Sequence, residues 1–87
     1  SQLWYELGWF QYQEGRNEEA ITAFGRALEI DPYFSNARYL LASSYERLGN
    51  REAALAAFEQ VFLANPERTD LREIIERLRD SLPNSHG

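Results

Sequence analysis

The chain has 87 residues, 44% of them hydrophobic and 14% aromatic, which allows one small domain with a modest core and argues against wholesale disorder. Nine basic against fourteen acidic residues give a formal charge of −5, and every basic side chain is an Arg, so a nucleic-acid-binding surface is not expected. Cys is absent, which excludes disulfides and thiolate metal sites, and no apolar run approaches the roughly 20 residues that a membrane helix needs.

The N-terminus lacks the basic-then-apolar pattern of a secretory signal. With Ser1 first and no Met anywhere, the chain is expected to be a mature or excised segment of something longer. Its compartment is unassigned.

Residues 2–14 read as the first helix. Trp4, Leu7, Gly8 and Gln11 follow the i, i+3, i+4, i+7 spacing of one helical face. Tyr5, Trp9 and Tyr12, spaced i, i+4, i+7, occupy another face. Gly15 suits a left-handed C-cap, where a side chain costs energy. Asn17 is placed to cap the next helix, with Glu18 and Glu19 favourable in its first turn.

A second helix over 18–30 carries Ala20, Ile21, Phe24, Ala27 and Leu28 on one stripe, and Pro32 ends it. A third over 36–48 repeats the first pattern with Arg38, Leu41, Ala42 and Tyr45, and Gly49 closes it. A fourth over 52–64 carries Ala54, Leu55, Phe58, Val61 and Phe62, and Pro66 closes that one. Connections this short force neighbouring helices to run antiparallel and pack together.

The duplication is exact in register. At an offset of 34 residues Tyr5 meets Tyr39, Leu7 meets Leu41, Gly15 meets Gly49, Glu18 meets Glu52 and Ala20 meets Ala54. The same offset aligns Ser1 with Ser35, Ala23 with Ala57, Phe24 with Phe58 and Pro32 with Pro66. The small residues Gly8, Ala20, Ala42 and Ala54 are expected where paired helices cross most closely, with Phe24 and Phe58 filling the space beside them.

The last segment reads as a lid. Leu71, Ile74, Ile75, Leu78 and Leu82 form one apolar stripe, and Arg72, Glu73, Glu76, Arg77, Arg79 and Asp80 cover the other sides. One amphipathic helix with one wet face is what the exposed end of a stacked-hairpin array requires. The expected fold is therefore all-α, five helices in antiparallel helix-hairpin repeats forming an α-solenoid. Repeats span 1–34 and 35–68, the capping helix spans 69–82, and 83–87 are a disordered tail.

Trp4, Leu7, Gly8, Ala20, Phe24, Ala27 and Pro32, echoed by Leu41, Ala42, Tyr45, Ala54, Phe58 and Pro66, resemble the motif of the tetratricopeptide repeat, a 34-residue helix-turn-helix. The resemblance covers residues 1 to about 68. It departs at Gln11, where the family usually has Tyr, at Arg38, where it often has Trp, and at Val61, where Ala is usual.

The resemblance implies that the first helix of each hairpin lines an inner, concave wall. Tyr5, Trp9 and Tyr12 would face that groove, followed by Tyr39, Ser43 and Glu46 and then by Glu73 and Arg77 of the lid, with Asn36 on the rim. One subset of the family holds the C-terminal carboxylate of chaperone tails with Lys and Asn. The matching positions here offer Arg77 as their one cation, so that clamp is not expected.

No catalytic, cofactor or metal site is expected. His86 is the single His and lies in the tail, and Ser43 and Ser44 sit within a helix with no His in the pattern. No calcium loop, zinc motif or phosphate-cradling Gly run is present. The function expected is binding of a peptide or helix of another protein, with apolar anchors and neutral or mildly basic charge. Tyr and Trp offer it a large, rigid area with a polar handle. The alternative is self-association, or membership of a longer array, through an uncapped N-terminal edge made of Leu3, Phe10, Tyr33 and Phe34.

Overall fold

A computed structural model describes residues 2–82; the tail expected over 83–87, with His86, lies outside the described residues. The described residues form five helices and no strand: α1 Gln2–Gln13, α2 Asn17–Ile30, α3 Ser35–Arg47, α4 Arg51–Ala64 and α5 Thr69–Ser81. Each helix packs on the next in chain order, and the array measures 39 × 26 × 19 Å.

The 34-residue period is visible in backbone hydrogen bonds. At the end of α1, Gly15 N–H donates to the Tyr12 carbonyl and Arg16 N–H to that of Gln11; at the end of α3, Gly49 and Asn50 donate likewise to Glu46 and Tyr45. Both glycines have positive φ, +81° and +84°, which is the reason Gly is needed at each corner. The longer linkers match as well, with Phe34 N–H donating to Asp31 and Arg68 N–H to Asn65.

Capping breaks the symmetry. Asn17, expected as the α2 cap, is instead the first helical residue; the cap position is Arg16, whose side chain makes no capping bond. The equivalent position before α4 is Asn50, and its side-chain oxygen accepts from Ala53 N–H at 3.2 Å. Glu18 and Glu19 do occupy the first turn of α2, where their charge favours the helix dipole.

The crossings are made by small residues. Ala20, Ala42 and Ala54 are fully buried, and a Cβ placed on Gly8 would come 2.8 Å from the Phe24 ring. Backbone therefore lies directly on ring at this point. Phe24 and Phe58 fill equivalent sites, each burial contributing about 1.5–3 kcal/mol. Leu71, Ile75 and Leu78 of α5 seal against Ala54, Ala57, Phe58 and Val61 of α4, with Ile74 half-buried beside them.

Two expectations about α1 need correction. Trp4 and Leu7 face the hairpin partner in register, yet both remain more than one-third exposed. They lie against Glu19, Thr22 and Ala23 of α2 beside an open cleft, and no helix covers their outer side. Phe34, assigned to an exposed edge, is instead half-buried, its ring stacked on Tyr5 with centroids 4.7 Å apart.

Candidate functional site

The side chains singled out by the sequence come from α1, α3 and α5, and two contacts join those helices across one surface. Arg47 of α3 lies over the Tyr12 ring, 3.6 Å from its centroid, and donates from a terminal guanidinium nitrogen to the Tyr12 carbonyl at 2.8 Å. Arg77 of α5 pairs with Glu46 of α3 at 3.0 Å.

Trp9 is the most open of the four aromatic residues, at 42% exposure. It stacks on Tyr12 with ring centroids 6.0 Å apart and planes 18° from parallel. Trp9, Tyr12 and Arg47 therefore form a layered row in which the outermost ring is held from behind.

Tyr5 and Tyr39 are less free than a surface stripe implies. Tyr5 is half-buried between Phe34 and Phe24, and Tyr39 sets its ring edge-on against Phe58, 5.4 Å between centroids. Their position on α1 and α3 makes each a bridge between the core and the outer surface. Ser43 is half-buried, whereas Asn36 and Glu73 are exposed.

The charges differ from those read along the sequence. Arg77 is not the lone cation of this surface, because Arg47 sits on Tyr12 and Arg68 lies 5.3 Å over the Tyr39 ring. Glu46 is not a free acid, because Arg77 neutralises it. Arg68 is itself tied to Asp70 through two hydrogen bonds, at 2.7 and 3.3 Å. Those bonds hold the Asp70 carboxyl below the usual carboxylate range and raise the Arg68 guanidinium.

Sequence reasoning missed Arg47 and Arg68. Arg47 stands eight residues after Tyr39 on the same helix, two turns away on nearly the same side, which was an available signal. Its stacking on a ring 35 residues earlier was not.

Polar groups elsewhere have structural explanations. The Ser44 hydroxyl, fully buried, donates to the Leu40 carbonyl at 2.8 Å. Arg79 pairs with Glu59 and ties the lid to α4. Among the described residues no three His, Cys, Asp or Glu side chains gather as metal ligands, and no helix is long and apolar enough to cross a membrane.

The profile of the tetratricopeptide repeat matches residues 11–79, which takes in most of both hairpins and nearly all of α5. The chain belongs to the tetratricopeptide repeat family. Repeats of this family generally mediate protein–protein interaction. This tetratricopeptide repeat chain is 45% identical over 53 residues to a peroxisomal targeting signal receptor of Eremothecium gossypii, covering 60% of the chain and 9% of the relative. The corresponding receptor of Saccharomyces cerevisiae is 45% identical over 47 residues, 54% of the chain and 8% of the relative. A tetratricopeptide repeat and J domain-containing co-chaperone of Cryptococcus neoformans var. grubii is 40% identical over 53 residues, covering 61% of the chain and 10% of the relative. The chain thus spans about a tenth or less of the curated relatives it matches.

Proposed function

We propose that the surface shared by α1, α3 and α5 is a concave groove that binds a short peptide or helix of another protein through apolar anchors. The groove comprises Tyr5, Trp9, Tyr12, Asn36, Tyr39, Ser43, Glu46, Glu73 and Arg77, to which the structure adds Arg47 and Arg68. Burial of partner side chains on the rings supplies the affinity, at about 25 cal/mol per Å² of apolar area before entropic costs.

The observation that carries this reading is the Trp9–Tyr12–Arg47 stack. A large indole is partly exposed but already oriented, because Tyr12 supports it and Arg47 fixes Tyr12. A partner docking there immobilises little that is not already fixed, which lowers the cost of binding. The ion pairing of Glu46 with Arg77 and of Asp70 with Arg68 leaves the wall close to electrically balanced. That narrows the partner towards an uncharged, apolar segment. Non-catalytic adaptor work is the role this implies.

The test is an array of immobilised random peptides probed with the wild-type chain and with Trp9→Ala. Peptides retained by the wild type should be lost or weakened by at least ~1–2 kcal/mol in the variant, with helicity unchanged. Trp9→Ala is chosen over a double variant with Tyr5 because Tyr5 packs on Phe34 and Phe24, so its loss would disturb the fold. Unaltered peptide binding together with a large drop in thermal stability would assign Trp9 to the core instead.

A further inference from the structure

The three odd-numbered helices carry one row of positions at the 34-residue offset: Leu3, Leu7 and Phe10 on α1, Ala37, Leu41 and Ser44 on α3, and Leu71, Ile75 and Leu78 on α5. On α3 and α5 the row is covered by the preceding helix. Ala37 is fully buried in one cluster with Ala20, Phe24 and Ala27 of α2, with Leu41 packed against it. Leu71, Ile75 and Leu78 are no more than 5% exposed, clustered with Ala57, Phe58 and Val61 of α4.

On α1 the same row stands open. Leu3 is 82% exposed, Phe10 56% and Leu7 42%. Beside it runs a cleft of about 200 Å³ between α1 and α2, lined by Trp4, Leu7 and Gln11 on one side and Glu19, Thr22 and Ala23 on the other. Glu6 is the one formally charged side chain of α1. A contiguous apolar helix face of this kind marks an interaction surface.

We infer that the Leu3/Leu7/Phe10 face is an acceptor for a helix of the α2 and α4 type, the second helix of a further hairpin stacked on the N-terminal side. The molecule applies this joint twice, α2 to α3 and α4 to α5, and α1 presents the acceptor half a third time. A second copy of the chain is the weaker occupant. Its α2 and α4 faces are already filled by α3 and α5, and the open side of its α5 carries Arg72, Glu76 and Arg79, whose charges would be desolvated against Leu3 and Phe10. Tyr33 belongs to a separate surface, since it lines a cleft with Leu63 and Ala64 of α4.

The test is a tandem fusion in which residues 1–34 are duplicated directly ahead of Ser1. The new junction reads Phe-Ser, as Phe34-Ser35 does at the natural joint. Leu3→Glu and, separately, Phe10→Glu are then made in the original copy of the fusion and in the parent chain. In the parent, where both side chains are mostly open, each change should move Tm by less than about 2 °C. In the fusion, where the added helix covers them, each should lower Tm by on the order of 5 °C or more. Equal shifts in parent and fusion would overturn the assignment. So would a parent that sediments as a dimer at micromolar concentration and becomes a monomer on Leu3→Glu, which would make a second copy the occupant.

Discussion

The Arg47 guanidinium lies flat enough over Tyr12 to be 3.6 Å from the ring centroid while one of its nitrogens donates to the carbonyl of that same residue. One side chain thereby grips both the ring and the backbone of α1, and links the first hairpin to the second. Two-point attachment fixes the spacing of the hairpins on the side where Trp9 is displayed.

Replacing Arg47 by Ala should cost about 1 kcal/mol in urea denaturation, the sum expected of an exposed cation–π contact and one backbone hydrogen bond. Arg47→Lys should recover only part of it, because an ammonium cannot stack flat and donate sideways together. Trp9 fluorescence should shift in both variants as its support loosens. An unchanged emission spectrum in Arg47→Ala would show that Tyr12 keeps its place unaided.

Two glycines on neighbouring helices should respond oppositely to Ala. A Cβ at Gly8 meets Phe24 at 2.8 Å, so Gly8→Ala should destabilise by about 1–3 kcal/mol as the ring is displaced. Gly25 lies within α2 with nothing within 4 Å of an added Cβ, so Gly25→Ala should stabilise by about 0.5–1 kcal/mol. Ala20→Leu should fall in the range of the first, since Ala20 is fully buried at the same crossing. Thermal or chemical denaturation of the three variants orders them.

The unequal caps offer a paired experiment. Asn50→Ala removes the bond to Ala53 N–H and should cost about 0.5–2 kcal/mol. Arg16→Asn installs that residue at the equivalent position before α2 and should add about 0.5–1 kcal/mol. Loss of stability in both variants would mean that Arg16 contributes something other than a cap.

Asp70 gives a pH prediction. Hydrogen bonds from Arg68 favour its ionised form, so its folded pKa lies below its unfolded one. The stabilisation is therefore complete above the unfolded carboxylate range and is lost as pH falls through the folded pKa. A carboxyl NMR titration should place the Asp70 midpoint below that of Asp31 in an unfolded peptide control, and Arg68→Ala should return it to the ordinary range. Both groups are largely exposed, so the effect belongs to the local pair and salt should weaken it.

Much of the architecture follows from local rules that a sequence displays. Apolar spacing of three and four residues places the helices, and Gly15 and Gly49 mark corners because only a residue without Cβ enters positive φ cheaply. Gly8, Ala20, Ala42 and Ala54 mark the crossings, since residue size alone decides how closely two backbones approach. The amphipathic stripe of α5 announces a helix with one covered side.

What tertiary structure alone decided was the state of each surface side chain. Tyr5, Trp9 and Tyr12 share a spacing, yet Phe34 covers the first, Arg47 covers the third and the second stays open. Glu46 and Arg77 read as separate groove charges until they meet across 31 residues of chain. A helical period specifies the face on which a side chain starts, but exposure and charge depend on partners brought from distant residues, and those distances exist only once the hairpins have stacked.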